Sequence, residues 1–155
     1  MKSLKSLIVL FVLMIFSVFA MCSNSKLTPQ QTVIDFISDY EQWNQFATQN
    51  LSEYTGFQAK EEYIKLLSKY CTQSSGRIGY NSYGQYSLHV FGGERVINTK
   101  ENSQDIIIVT SVPSRFGEID DDMDYFEYHL VLEENKYLIK EVYQLSKSGN
   151  KIKTL

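Results

Sequence analysis

Hydrophobic and polar positions change their spacing several times along this 155-residue chain, and each change predicts a different element. The first apolar stretch has no period: Leu7 to Ala20 is apolar throughout except for Ser17. The next has helical spacing, with Val33, Phe36, Ile37, Tyr40, Trp43 and Ala47 falling on one stripe. Thr28 suits an N-cap, Pro29 suits the first helical position, and Gln31 completes a capping box. A second helix is predicted from about Ala59 to Tyr70, with Tyr63, Leu66, Leu67 and Tyr70 on its stripe. Asn50 to Gly56 reads as the polar connector between the two.

At Thr72 the texture becomes loop-like. Thr72 to Gly93 is rich in Gly, Ser, Asn and Tyr, with room for one short strand. Strand patterns follow. Glu94 to Thr99 is a short candidate. Asp105 to Val112 is β-branched and nearly continuous, which predicts a strand covered on both faces. Tyr125 to Leu132 alternates: Phe126, Tyr128, Leu130 and Leu132 share one face, Glu127 and His129 the other. Glu133 to Lys136 reads as a turn and Tyr137 to Leu145 as the returning strand. Ser146 to Leu155 is polar and lysine-bearing, so residues 147–155 are expected to form a fraying tail. Helices first and antiparallel strands afterwards predict an α+β domain over residues 27–146. A strongly curved sheet wrapped around the helices would bury the helical stripes and the alternating strand faces together, forming a cone with one open mouth.

The aperiodic start has a different meaning. Lys2 and Lys5 precede the apolar run, and Cys22, Ser23, Asn24 and Ser25 follow it. A basic start, a short apolar core and an abrupt polar break make residues 1–22 a secretory signal peptide. The run falls short of the roughly 20 apolar residues of a membrane-spanning helix. Two processing routes stay open. Val18-Phe19-Ala20 fits the small-x-small rule for ordinary cleavage, giving a soluble exported protein. Phe19-Ala20-Met21-Cys22 resembles a lipoprotein box, although Met21 stands where a small residue is wanted; acylated Cys22 would then anchor the chain to the membrane.

About 133 residues remain after the signal, enough for one domain with a real core. Hydrophobic residues at 43% and aromatic residues at 14% argue for a folded globule. Removing Lys2 and Lys5 from the 15 basic residues leaves 13 against 18 acidic ones, a net charge of −5. That balance speaks against nucleic acid as a ligand, which needs a basic face, and suits a basic protein partner. The cysteines are Cys22 and Cys71. A disulfide between them would suit an oxidising compartment, and acylation of Cys22 would forbid it. Cys71 reads as a small buried hydrophobe.

The chain from about Leu27 to Leu145 resembles the NTF2-fold immunity proteins of bacterial polymorphic toxin systems. The resemblance rests on Thr28-Pro-Gln-Gln31 opening an aromatic-rich helix and on Lys69-Tyr-Cys-Thr72 closing the second. Arg77-x-Gly79, Tyr83-Gly84, His89, Glu94 and the paired end strands Phe126-Glu-Tyr-His-Leu130 and Lys136-Tyr-Leu-Ile-Lys140 complete it. The chain departs from the pattern at Tyr137, where such domains usually carry Trp. The resemblance implies an NTF2-like cone, no catalytic residue, no cofactor, and a cognate toxin domain as partner. With an export signal, that toxin would act in the cell envelope.

The candidate toxin-binding residues form two groups. Glu118, Asp120, Asp121, Asp122 and Asp124 cluster between strands; their acidity would steer and dock a basic domain, and a plainly solvated loop is the structural alternative. Asp120, Asp122 and Asp124 have calcium-loop spacing, but Tyr125 and Val131 stand where an EF-hand needs Gly and Glu, so that motif is excluded. Tyr80, Tyr83 and Tyr86, set among small adaptable residues, suit either a recognition surface or a lid over the cone mouth. His89 and His129 lack zinc-site spacing, and Arg77 and Glu94 could pair at the rim. The rival functions are an isomerase-like enzyme drawing on Asp35, Asp39, Tyr40 or Tyr63, and a small-ligand-binding protein using the same cone.

Overall fold

The computed structural model describes residues 27–49, 53–73, 93–102, 105–114, 123–146 and 148–155. Two helices, α1 (Pro29–Gln49) and α2 (Glu53–Tyr70), pack on one face of a five-stranded sheet. The strands are β1 (Arg95–Glu101), β2 (Ile106–Pro113), β3 (Met123–Glu133), β4 (Lys136–Leu145) and β5 (Lys151–Lys153). Among the described residues they form an antiparallel meander in chain order, with β1 and β5 at its edges and no closure into a barrel. The α+β expectation holds in this form.

The N-terminus of α1 is capped as expected, with the Gln31 amide donating to Thr28 Oγ1 at 3.1 Å. The capping box is only half made, because the Gln31 side chain donates to Asp35 one turn on, at 2.8 Å. The second helix begins at Glu53, six residues before Ala59, and takes over most of the expected connector. Nothing in Asn50 to Gly56 forbids helix except Gly56, whose cost is about 1 kcal/mol.

Two bulges let the sheet face the helices with the residues it has. In β1 the register slips at Ile97, so Val96 and Thr99 both point inward, opposite Thr110 and Ile108. In β4 it slips at Lys140, so Ile139 and Val142 both point inward, opposite Leu130 and Tyr128. Without the slip a strict period of two would send one of each pair to solvent. Bulges also bend and twist the strand that carries them. The β3–β4 turn holds Glu134 and Asn135 at φ 45° and 71°, the signature of a two-residue primed hairpin turn.

The core joins both layers. Val33, Phe36, Ile37, Tyr40, Trp43 and Ala47 of α1 and Ala59, Tyr63, Leu66 and Tyr70 of α2 are buried against Ile108, Phe126, Tyr128, Leu130, Ile139 and Val142. Leu67 and Ile106, expected among the buried residues, are half-buried at its edge. Leu132 shares the inner face but is 52% exposed, at the far end of β3.

The C-terminal expectation is corrected. Residues 148–155 are no fraying tail: the Ser146 amide donates to the Asn150 carbonyl, the Gly149 amide to the Ser146 carbonyl, and β5 pairs with β4. The Val142 amide then donates to the Leu155 carbonyl at 3.2 Å, and Leu155 enters the core at 3% exposure. The polarity that suggested a tail belongs to Lys151 and Lys153, whose ammonium groups reach acids on the outer face of the sheet. Leu155→Ala should therefore cost about 2–4 kcal/mol, as for other buried leucines, while Ile152→Ala at a 56% exposed site should cost less than about 0.5 kcal/mol. Denaturant unfolding of the two variants checks this; equal costs would return the segment to a frayed tail.

Candidate functional site

Three groups of polar side chains stand out among the described residues, on three different surfaces. The first lies where α2 ends. Lys69 Nζ and Tyr70 Oη both donate to Asp39 Oδ2 at 2.7 Å, tying the end of α2 to the middle of α1. The next residues bind the sheet: Cys71 bridges to Ile139, the Thr72 amide donates to the Ile139 carbonyl at 3.0 Å, and Lys136 Nζ donates to the Lys69 carbonyl. Desolvation pushes the Asp39 carboxyl up, but the bonds from Lys69 and Tyr70 outweigh it and hold the group below its ordinary value. The same bond to Asp39 raises Lys69.

Beside this clasp runs an open groove of about 720 Å³ between the helices. Trp43, Phe46 and Leu66 give it apolar walls, and Asp39, Glu61, Glu62, Lys65 and Lys69 surround them with charge. Trp43 spends its polar atom inside the fold, donating Nε1–H to the Ala59 carbonyl at 2.7 Å. Lys65 and Glu62 pair at 2.6 Å, both well exposed.

The second group sits on the inner face. Glu94, just before β1, accepts from Thr110 Oγ1 at 2.5 Å and from Tyr128 Oη at 2.8 Å, both on the same carboxylate oxygen. Thr110 and Tyr128 are fully buried and Glu94 is half-buried. Burial first, and then the charge of Glu94, push the Tyr128 phenol well above its ordinary value, so it stays a proton donor.

The third group covers the outer face. Glu127, in the central strand, has a side chain only 7% exposed, with Lys151 at 2.5 Å, His129 at 3.4 Å and Lys100 at 3.8 Å. Those partners come from β5, β3 itself and β1, so one carboxylate spans the sheet. Glu141 accepts from Tyr143 at 2.6 Å and Lys153 at 3.1 Å, fastening β5 a second time.

The expected site residues fall out unevenly. Glu118, Asp120, Asp121, Asp122, Tyr80, Tyr83 and Tyr86 lie outside the described residues, as do Cys22, Arg77 and His89. Asp124 is in β3, opposite Val112. Tyr40 and Tyr63 are core residues packed with Trp43, their ring centroids 6.2 Å apart, and Asp35 is bonded to Gln31. Cys71 is buried, as expected. The structure does not bring Asp35, Asp39, Tyr40 and Tyr63 into one site. It does unite Glu94 with Tyr128, a pairing no spacing in the sequence announces. The groove was missed as well, although Phe46 standing just off the α1 stripe was a signal for it. Comparison with protein-family models, with curated proteins and with solved structures finds no match to this chain.

The outer-face carboxylates make stability depend on acid. Desolvation raises Glu127, but hydrogen bonds from Lys151 and His129 and the nearby lysine charges outweigh it, so its folded value lies below the ordinary 4.5. Glu141 is lowered too, chiefly by Tyr143 and Lys153. A lowered carboxylate stabilises the fold fully above its unfolded value and loses that contribution as pH falls through the folded value. Stability should thus fall on the acid side of about pH 4.5. Glu127→Gln should cost about 1–2 kcal/mol at neutral pH and flatten the acid limb. Thermal melts of both proteins at stepped pH test this; parallel acid limbs would show that Glu127 carries none of the dependence.

Proposed function

We propose that this chain is a non-catalytic binding protein of the cell envelope, an immunity protein of NTF2-like form that neutralises a cognate toxin there. The observation that carries the reading is the exposed apolar side chains of the second helix beside the groove. The sheet takes one side of α1 and α2, and on α2, the helix that also walls the groove, Phe57 and Ile64 stay substantially exposed two turns apart. Large apolar residues left together at a surface with charged neighbours are the usual anatomy of a protein-binding face. The resemblance carried by Lys69-Tyr-Cys-Thr72 and the two end strands supports the immunity form of that reading, and the signal peptide supports its place. The acidic cluster from Glu118 to Asp124 and the tyrosines Tyr80, Tyr83 and Tyr86 remain candidate contacts on the same hypothesis.

A second reading has one specific observation in its favour. A half-buried carboxylate and a protonated tyrosine meet on the inner face at Glu94 and Tyr128, the pair of groups an isomerase-like site or a small-ligand pocket would use. Here the phenol already donates to the carboxylate, which makes the pair a structural bond before it is anything else.

The test is protection. The full chain, with its own signal peptide, is co-expressed with an exported toxin domain encoded beside it. Exported chain should restore growth, and chain lacking residues 1–22 should not. Purified mature protein should inhibit the toxin at one-to-one stoichiometry. Failure of the exported chain to protect would reject the immunity reading. Turnover of a small substrate that is lost in Glu94→Gln would install the second reading in its place.

A further inference from the structure

We infer that the groove between α1 and α2 is the docking site for a basic segment of the partner protein, one that inserts an apolar side chain against Trp43. This rests on the binding role proposed above and adds the surface and the chemistry of what it holds.

Charge identifies the occupant. Over its 21 residues α1 carries Asp35, Asp39 and Glu41 and no basic residue at all. In α2 the acids Glu53, Glu61 and Glu62 are balanced by Lys60, Lys65 and Lys69, so the helical layer is net negative through α1. The two lysines in the groove are already committed, Lys65 to Glu62 and Lys69 to Asp39. Glu61 makes no ion pair with any described residue, and it stands exposed on the groove wall. Glu61 acts on Lys65 only through its charge, so the three groove carboxylates share two lysines; an arriving cation finds one negative charge in excess, whereas an arriving anion finds lysines that must first leave their partners.

Shape and chemistry identify the anchor. Trp43 is a core residue, 5% exposed, with its indole N–H bonded to Ala59, so the small part of it that meets the groove is carbon. Phe46 and Leu66 extend that apolar wall. Apolar anchors seated in such a pocket, with charges at its rim, are where binding energy concentrates in protein interfaces. Phe57 and Ile64, 63% and 55% exposed and two turns apart on α2, lie beyond Glu61 and offer a second strip for a longer segment.

Trp43 is the chain's single tryptophan, so groove occupancy has a built-in reporter. Random peptides displayed on phage are selected on the full mature chain, and Trp-free versions of the winners are titrated while Trp43 emission is followed. The selected peptides should combine Lys or Arg with a large apolar residue and should change Trp43 emission to saturation. Gln58, half-buried, lines the groove with Glu61; the double variant Gln58→Arg, Glu61→Arg should melt like the wild type, since both residues lie outside the core, and should bind the peptides about tenfold more weakly, the loss of one substantial interface contact. Peptides that are acidic, that leave Trp43 emission unchanged, or that bind the variant equally well would overturn the inference. The cognate toxin domain separates the two ideas. If the wild-type chain fails to bind it while peptides fill the groove, the immunity reading falls and the groove stands. If the toxin and the peptides both ignore the charge reversal, the groove falls and the reading stands.

Discussion

Phe36 is the contact on which the architecture depends. It is fully buried at the centre of α1, and three tyrosine rings meet it edge-on: Tyr40 of α1 at 5.7 Å, Tyr70 of α2 at 5.8 Å and Tyr128 of β3 at 6.2 Å. Each such pair adds about 0.5–1.5 kcal/mol beyond the area it buries. More important is where the three rings come from: one residue touches both helices and the central strand. Two of those tyrosines then hand their hydroxyls to carboxylates, Tyr70 to Asp39 and Tyr128 to Glu94. The apolar contact and the polar bonds are thus one construction, with a ring packed at one end and a hydroxyl satisfied at the other.

The same construction explains Lys69-Tyr70-Cys71-Thr72. Four consecutive residues bind α1, the core, and β4 in turn. A helix end normally leaves carbonyls without partners. Here the Lys69 carbonyl is taken by Lys136, and the chain leaving the helix makes a parallel bridge to Ile139. A motif of this density can look functional in a sequence, yet the roles it plays here are structural.

Much of the fold is legible in the sequence. Helical spacing found α1 and the latter part of α2, β-branched and alternating runs found the central strands, and the hairpin from Glu133 to Lys136 announced itself. What was hidden has physical causes. Bulges at Ile97 and Lys140 break the period of two, so inner and outer positions in β1 and β4 cannot be read by counting. The strand β5 was hidden because its lysines look solvent-bound; only Glu127 and Glu141, far away in sequence, make them part of a sheet face. The candidate site was less legible still. Partners such as Glu94 with Tyr128, or Trp43 with Phe46 and Leu66, are set by packing between elements, and no local spacing encodes them.

Set side by side, the carboxylates separate structure from surface. Asp39, Glu127 and Glu141 each gain partners that favour their charged form, which is the condition of groups that hold a fold together, and the reverse of a base tuned toward neutrality. Glu94 is bound by two buried hydroxyls on the sheet. Glu61 differs: it is exposed, makes no ion pair among the described residues, and borders a groove where the core residues Trp43 and Leu66 and half-buried Phe46 come to the surface. It shares the solvent side of α2 with Phe57 and Ile64, four residues before it and three after, both more than half exposed. On the binding role proposed above, the sheet, fastened across its outer face by the Glu127 and Glu141 ion pairs, would be the backing that holds the two helices in place.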